Sequence, residues 1–320
     1  MCVHIPDRQK QFGYPQQYLC LCPQPDDTAC HARYAAHGRA ALLDVASRSC
    51  ELPLMNLCQA AHQRKLETGR VQILLLYEVE PLGLELTAPR QSDVIPVSVC
   101  CLQQITHTDL LHALACGFDV IHVQACASSA GRLHQQQEVE LVQVLGGLGR
   151  ILLFDGAEVL AMRLAAGIFP FPSVAPDILA VGSRRDTARA SAAALLPPSA
   201  DHVALPEQAP YGSVSLDEDL CNQCSSCVWV CPSDALSLTE DGGALSFVES
   251  LCFQCGLCIS ICPQRALSME PGMDLSASAV LPHLLAGQGA EDAGTPGLVE
   301  EIAVLGSASA AVQALGQARG

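Results

Sequence analysis

Lysine, aromatic residues and charge in general are scarce in this 320-residue sequence. Only two of its 17 basic residues are lysines, Lys10 and Lys65, whereas 33 residues are acidic and the formal net charge is −16. A surface this acidic repels phosphate backbones and anionic lipids. The composition therefore argues against nucleic-acid binding and against attachment to membrane surfaces.

Long uninterrupted apolar runs are also lacking. The longest apolar region, residues 151–171, is broken by Asp155, Glu158 and Arg163, whereas a membrane-spanning helix needs about 20 predominantly apolar residues. The first ten residues contain neither an apolar stretch behind a basic start nor a twin-arginine pair, which are the marks of an export signal. We therefore expect a protein without a membrane span and a cytoplasmic location.

A nucleotide-binding motif is missing as well. No Walker sequence is present, and the glycine run at residues 146–149 (GGLG) precedes an apolar segment instead of following one. A dinucleotide fingerprint needs G-x-G-x-x-G between a strand and the next helix. The junction that does follow an apolar segment, residues 155–157 (DGA), has a single glycine. The glycine run is therefore better interpreted as a turn, and a flavin or nicotinamide site has little support.

Short apolar segments alternate with amphipathic ones between residues 66 and 170. Segments 71–77, 94–100, 119–124 and 151–154 have the length of buried strands, and segments 108–116, 135–145 and 158–166 are interpreted as helices. Strands that alternate with helices of about ten residues are typical of βα units on a mostly parallel sheet. The sequence therefore predicts an α/β domain at residues 66–170.

The regions around this domain have weaker patterns. Residues 1–65 form a cysteine-containing region with a candidate helix at 37–47, and residues 171–210, rich in Pro, Ala and Ser, are expected to be a connector with a helix near 186–196. A cysteine-rich segment follows at residues 211–271. Residues 272–320 are expected to be a flexible Gly/Ala-rich tail with a marginal helix near 299–305.

Eighteen cysteines are the most unusual feature of the composition. Without an export signal, clustered cysteines indicate metal ligands and not disulfides. Eight of them form two copies of C-x2-C-x2-C-x3-C-P, offset by 31 residues (252 minus 221). The first copy holds Cys221, Cys224, Cys227 and Cys231 ahead of Pro232, and the second holds Cys252, Cys255, Cys258 and Cys262 ahead of Pro263.

This spacing fits the chemistry of two [4Fe-4S] clusters. Three cysteines separated by two residues wrap a short loop around one cubane, whose irons favour soft thiolate ligands. The fourth cysteine, one helical turn later, points away from its own loop and ligates the other cluster. Cluster I is therefore assigned to Cys221, Cys224, Cys227 and Cys262, and cluster II to Cys252, Cys255, Cys258 and Cys231. Zinc sites generally use two separated C-x2-C pairs, so four cysteines in a run do not favour zinc.

Residues 211–271 resemble the bacterial-type two-cluster ferredoxins, a family of low-potential one-electron carriers, at every ligand position. The resemblance implies an α+β ferredoxin-like (βαβ)2 domain, with strands at 235–239, 244–247 and 266–269. This segment carries eight acidic residues and one basic residue, Arg265, which suits a redox protein partner with a basic docking patch. A weaker resemblance to larger proteobacterial 4Fe-4S binding proteins rests on the phrases HVALP at residues 202–206 and YGSV at 211–214, and it implies a redox context.

The remaining cysteines leave two smaller questions open. Cys20, Cys22 and Cys30, with His31, could supply four ligands to a further metal, but their spacing matches no strong pattern. The stretch 94–126 loosely resembles iron–sulfur subunits of hydrogenase and heterodisulfide-reductase systems, because Cys100 and Cys126 end two predicted strands. Free cysteine is common as a small buried side chain, and we favour that interpretation for both sets.

Three functions are compatible with these patterns. The favoured one is a non-catalytic electron-transfer protein or subunit, which relays single electrons through two [4Fe-4S] clusters to or from a larger oxidoreductase. The second is an enzyme whose α/β domain binds a substrate or a flavin, although no nucleophile–base pair is evident in the sequence. The third is an accessory or redox-sensing protein for a metalloenzyme.

Overall fold

The computed structural model describes residues 17–19, 54–78, 92–99, 101–167, 183–239 and 243–287. The helices expected at 37–47 and 299–305 lie outside these ranges, as do the candidate ligands Cys20, Cys22, Cys30 and His31 and the strand-end Cys100. Within the described ranges the chain forms an α/β body, up to residue 196, and a cysteine-rich domain, residues 201–287.

A parallel sheet forms the centre of the α/β body. Its strands are Gln17–Leu19 (β1), Val71–Tyr77 (β2), Ser92–Val99 (β3), Val120–Gln124 (β4) and Ile151–Phe154 (β5), in the spatial order β1-β3-β2-β4-β5. Each neighbouring pair is parallel. β2 is buried along its whole length, and a strand covered on both faces has a continuous apolar sequence instead of an alternating one. The predicted α/β architecture with a parallel sheet is confirmed.

Helices flank this sheet on both sides. They are Met55–Thr68 (α1), His107–Cys116 (α2), Ser129–Val142 (α3), Ala157–Ala166 (α4) and Arg184–Leu195 (α5). Thr106 and Asp109 form a capping box at the start of α2, and Ser128 accepts a hydrogen bond from the Gly131 N–H at the start of α3. That cap explains why α3 begins at Ser129, ahead of the helix predicted for residues 135–145.

The sheet is packed on both faces. Leu74 and Leu76 of β2 point into the larger apolar core, which also contains residues of α1, α2, α3 and α5. Ile73 and Leu75 point to the opposite side, into a smaller cluster with Leu160 of α4. Successive residues of a strand alternate between faces, so one strand supplies both clusters and fixes the helices against the sheet.

Helix α5 lies in the region that the sequence suggested was a connector. It packs along α2, and its Ala188 and Ala192 are completely buried. A capping box between Ser183 and Asp186 starts the helix. Alanine gives a weak hydrophobic pattern, yet its small side chain lets two helices approach closely. Residues 184–195 therefore belong to the packed core of the α/β body.

The cysteine-rich domain contains two antiparallel sheets and two short helices. His202–Ala204 (β6), Gly212–Leu216 (β7) and Leu267–Asp274 (β10) form one sheet in the order β6-β10-β7, and Leu236–Leu238 (β8), Ala244–Phe247 (β9) and His283–Gly287 (β11) form the other in the order β11-β9-β8. Ser226–Val230 (α6) follows β7, and Leu257–Ile261 (α7) follows β9. From β7 to β10 the order is therefore strand, helix, strand, and then the same again.

Strand β10 runs beyond the domain end expected at residue 271, and β11 lies in the region expected to be a flexible tail. Pro271 and Gly272 disfavour a strand in the sequence. In the structure, β10 changes its pairing partner at this point, from β7 up to Pro271 to β6 from Gly272 onward. Residues 272–287 therefore extend both sheets of the domain.

Candidate metal centre

The two cysteine motifs adopt the same unusual backbone conformation. Left-handed residues recur at an offset of 31: Gln223 and Gln254, Ser225 and Gly256, Asp234 and Arg265, all with φ between 53° and 74°. Five of these six are not glycine, and a non-glycine residue rarely adopts this conformation without support from its surroundings. Successive backbone turns of this kind direct N–H groups into a concave, anion-binding nest. Each motif therefore forms a cradle for a negatively charged group. Helices α6 and α7 lie within the motifs and begin just after the left-handed residues Ser225 and Gly256.

A first hollow, with a volume of about 90 Å³, opens beside the first motif. Cys221, Cys224 and Cys227 line it together with Cys262, which is the last cysteine of the second motif. Leu216, Leu245 and Leu267 of three different strands form part of its wall. The structure thus brings together the four cysteines that the sequence analysis assigned to one cluster.

A second hollow, with a volume of about 20 Å³, lies beside the second motif. Cys252, Cys255 and Cys258 line it together with Cys231, the last cysteine of the first motif. Each hollow therefore receives three cysteines from one motif and one from the other. Because each motif contributes one cysteine to the hollow of the other, the two motifs are connected at both hollows.

The cysteines around the two hollows differ in their exposure to solvent. Cys224 of the first is exposed, and the three residues that precede Leu220 and Cys221 are exposed acids: Asp217, Glu218 and Asp219. Cys252 and Cys258 of the second are each only 8 % exposed and belong to an apolar cluster that includes Phe247. The first hollow therefore has an exposed cysteine and follows an acidic surface segment, whereas two cysteines of the second hollow are buried.

This difference also affects the thiols themselves. Burial raises the pKa of Cys252 and of Cys258 to about 11. The side-chain hydrogen bond with Ser226 instead lowers the pKa of the exposed Cys224. A metal binds the thiolate, so loading releases the thiol proton. Metal loading at the second hollow must therefore displace protons that are held more tightly than those of an ordinary cysteine.

The donor set suits an iron–sulfur cubane. Within the ranges described, no three Cys, His, Asp or Glu side chains converge closely enough to hold one metal ion. A cubane makes a different demand, since each thiolate binds its own iron. Four cysteines surround each hollow, and backbone N–H groups reach two of the sulfurs: Gln254 N lies 3.5 Å from Cys252 Sγ, and Ala266 N lies 3.4 Å from Cys262 Sγ. Such hydrogen bonds stabilise negative charge on the sulfur.

Residues 213–263 match the family model described as a 4Fe-4S dicluster domain. The match lies within the cysteine-rich domain of residues 201–287, which we call the dicluster domain from here on. All eight cysteines of the two motifs lie within the dicluster domain, which therefore binds iron in iron–sulfur form and belongs to electron-transport chemistry. A comparison with curated proteins found no match. None of the helices in the described part of the chain is long and apolar enough to cross a membrane.

Arginines of helix α5 join the α/β body to the dicluster domain. Arg189 forms a buried ion pair with Glu249, three residues before the second motif, and donates a hydrogen bond to the Asp274 carbonyl. Arg184 pairs with Asp109 of α2 at 2.6 Å and so fixes α5, which carries Arg189, within the α/β body. A buried pair that loses one partner leaves an uncompensated charge, so these contacts fix the position of the domain even where their net contribution to stability is small.

A buried chain of hydrogen bonds makes a second connection. His107 Nδ1 lies 2.7 Å from Glu138 Oε2, and His107 Nε2 lies 2.7 Å from the hydroxyl of Tyr211, just before β7. Burial alone would lower the pKa of His107, but Tyr211 and Glu138 raise it to about 10. Glu138 in turn has a lowered pKa, because the neighbouring His107 outweighs the effect of burial. These opposite directions favour an imidazolium at His107 paired with a carboxylate at Glu138.

Sequence reasoning did not single out these connecting residues. The available signal was three arginines within one alanine-rich helix of a strongly acidic chain. One residue that it did consider, Cys126, is buried in the core beyond β4. His122 is buried within β4, and burial lowers its pKa to about 4. A neutral His122 in the sheet is a core side chain.

Proposed function

We propose that the protein relays single electrons through two [4Fe-4S] clusters to or from a larger oxidoreductase. The observation that carries this proposal is the pair of four-cysteine hollows within one dicluster domain. Each cluster, when bound, takes up or releases one electron at a time. The chain itself binds the clusters, shields them from water and sets their reduction potentials. It also leaves one of them close enough to the surface to exchange electrons with a partner.

The proposed ligand sets follow the two hollows. Cys221, Cys224, Cys227 and Cys262 hold cluster I, and Cys252, Cys255, Cys258 and Cys231 hold cluster II. Helix α6, which carries Cys227, packs against α7, which carries Cys258. The two proposed ligand sets therefore occupy neighbouring positions, which suits electron transfer between them. We place the protein in the cytoplasm, since a reducing compartment keeps thiols available for iron.

Cluster I is the proposed site of electron exchange with the partner. Its proposed ligand Cys224 is exposed, and the exposed acidic residues Asp217, Glu218 and Asp219 lie in the segment just before Cys221. Complementary charge raises the rate of encounter and orients the partner. A partner with a basic docking patch therefore fits this face, which we call the acidic face.

We expect Glu218→Gln combined with Asp219→Asn to slow the oxidation of the reduced protein by a cationic cobalt complex, by about threefold or more at low salt. Oxidation by ferricyanide, an anion, should not slow, because the same change removes the repulsion between the two carboxylates and the oxidant. Anaerobic stopped-flow spectroscopy in the cluster absorption band measures both rates. Raising the ionic strength should reduce the difference between variant and parent, since salt screens exposed charges.

The matched control is Glu67→Gln combined with Glu158→Gln, which removes the same charge from exposed positions on α1 and α4. This control should leave the ratio of the two rates unchanged. Equal effects of the two double variants would reject the acidic face as the docking surface. A parent protein that shows no reversible one-electron reduction would reject the relay itself.

A further inference from the structure

Arg185 of helix α5 reaches into the base of the second motif. Its guanidinium donates hydrogen bonds to three backbone carbonyls: Cys252 O at 2.6 Å, Pro210 O at 2.6 Å and Ser250 O at 3.1 Å. The guanidinium carbon lies 4.4 Å from the centre of the Tyr211 ring. Arg185 is 5 % exposed, so this cation is held in place on the ligand loop of the second hollow.

The charge of Arg185 has no ionic partner among the residues that the structure describes. The nearby carboxylate Glu249 is paired with Arg189, and Asp109 is paired with Arg184. The Arg185 guanidinium is satisfied by neutral carbonyls and aromatic rings alone. A full positive charge therefore remains in a part of the protein where water screens it poorly.

The first hollow has the opposite electrostatic environment. Cys221 is the counterpart of Cys252 at the offset of 31, and the residues ahead of it are the exposed acids of the acidic face. Exposed carboxylates are screened by water and salt, whereas the Arg185 cation is buried. The dicluster domain is therefore symmetric in its cysteines and asymmetric in the charges around them.

We propose that Arg185 sets the reduction potential of cluster II and makes it the more easily reduced of the two clusters. The proposal rests on the relay function. A cubane with four thiolates is negatively charged, and it gains one further negative charge when it takes an electron from the redox partner; no bond is made or broken. A fixed cation beside the ligand loop stabilises the more negative state and so raises the potential.

One effect opposes this assignment. Cys252 and Cys258 are more buried than Cys224, and a low-dielectric environment disfavours additional charge. The buried cation acts in that same low-dielectric environment, where charge–charge interactions are strongest. Arg185 therefore offsets the effect of burial, and its charge would favour the reduced state of a cluster bound at the second hollow over that of a cluster bound at the first.

The experiment is an EPR-monitored redox titration of the cluster-loaded protein. The parent should show two one-electron couples of different potential. In Arg185→Met the higher potential should fall toward the lower one, with a change of about tenfold in the reduced-to-oxidised ratio at fixed ambient potential, which is about 59 mV for one electron. Arg185→Lys keeps the charge and should retain most of the parent potential.

Arg150→Met is the matched control. Arg150 also donates to three backbone carbonyls, those of Leu114, Phe118 and Asp119, but it lies in the α/β body. Its replacement should lower the melting temperature and leave both potentials unchanged. If Arg185→Met loses iron, Arg185→Gln, which keeps an amide donor without the charge, takes its place.

The outcomes separate this inference from the relay function. Two couples of equal potential in the parent, or an unchanged higher couple in the Arg185→Met or Arg185→Gln variant with full iron content, would overturn the role of Arg185 and leave the relay standing. Equal potential shifts in Arg185→Lys and Arg185→Met would also overturn it, because they would assign the effect to loop geometry. A parent without any reversible couple would instead contradict the relay.

Discussion

Replacing Cys262 with alanine is expected to remove the cluster of the first motif, although Cys262 belongs to the second. The reason is that Cys262 lines the hollow of Cys221, Cys224 and Cys227. Iron content should fall from about eight to about four per chain, and the spin coupling between two reduced clusters should disappear from the EPR spectrum. Cys116→Ala, at a buried cysteine of α2, should leave the iron content unchanged.

Double variants separate crossed ligation from uncrossed ligation. If ligation is crossed, Cys262→Ala and Cys224→Ala damage the same cluster, so the combined variant keeps about four irons. Cys262→Ala with Cys255→Ala then damages both clusters and loses nearly all iron. An uncrossed arrangement predicts the reverse for the two double variants. The reverse result would therefore contradict the ligand sets proposed for the two hollows.

Replacing Glu138 with glutamine should produce the largest effect on stability away from the cysteines. His107 has its pKa raised to about 10, so its contribution to stability is complete below its ordinary pKa of 6.5 and is lost as the pH rises toward 10. Glu138 has a lowered pKa, so its contribution is present above 4.5 and is lost as the pH falls below that value. The pair therefore stabilises the fold most between those two ordinary values.

The measurement is the anaerobic melting temperature of the loaded protein between pH 6.5 and 8.5. In the parent, stability should fall over this range by about 1.4 kcal/mol per pH unit, since the unfolded chain loses a proton that the folded chain keeps. Glu138→Gln should cost about 3 kcal/mol at pH 6.5 and flatten the slope. Glu140→Gln, at an exposed position of the same helix, should change neither the stability at pH 6.5 nor its slope with pH. A parent stability that does not vary with pH would contradict the imidazolium.

The parallel sheet and the cysteine motifs could be predicted because their signals are local. Continuous apolar runs at β2 and β5 and the repeated cysteine spacing each lie within about a dozen residues. The alternation of strands and helices then favours a parallel sheet on topological grounds. The same local patterns assigned eight of the eighteen cysteines to the two motifs, and the structure gathers those eight around two hollows.

What the sequence did not reveal depends on contacts between distant segments. Helix α5 is stabilised by close packing of alanines and by arginines that reach the dicluster domain, and neither feature gives a strong periodic pattern. The left-handed backbone at Gln223 and Gln254 carries no glycine to signal it. Arg185 meets the Cys252 loop across 67 residues of chain. Each of these features required the folded arrangement.

The central claim, two clusters held by eight crossed cysteines, is tested most directly by anaerobic iron and sulfide analysis combined with EPR of the dithionite-reduced protein. The proposal predicts about eight irons and about eight sulfides per chain, with a spin-coupled signal from two reduced cubanes. About four irons after careful reconstitution, with the signal of a single isolated cluster, would contradict it.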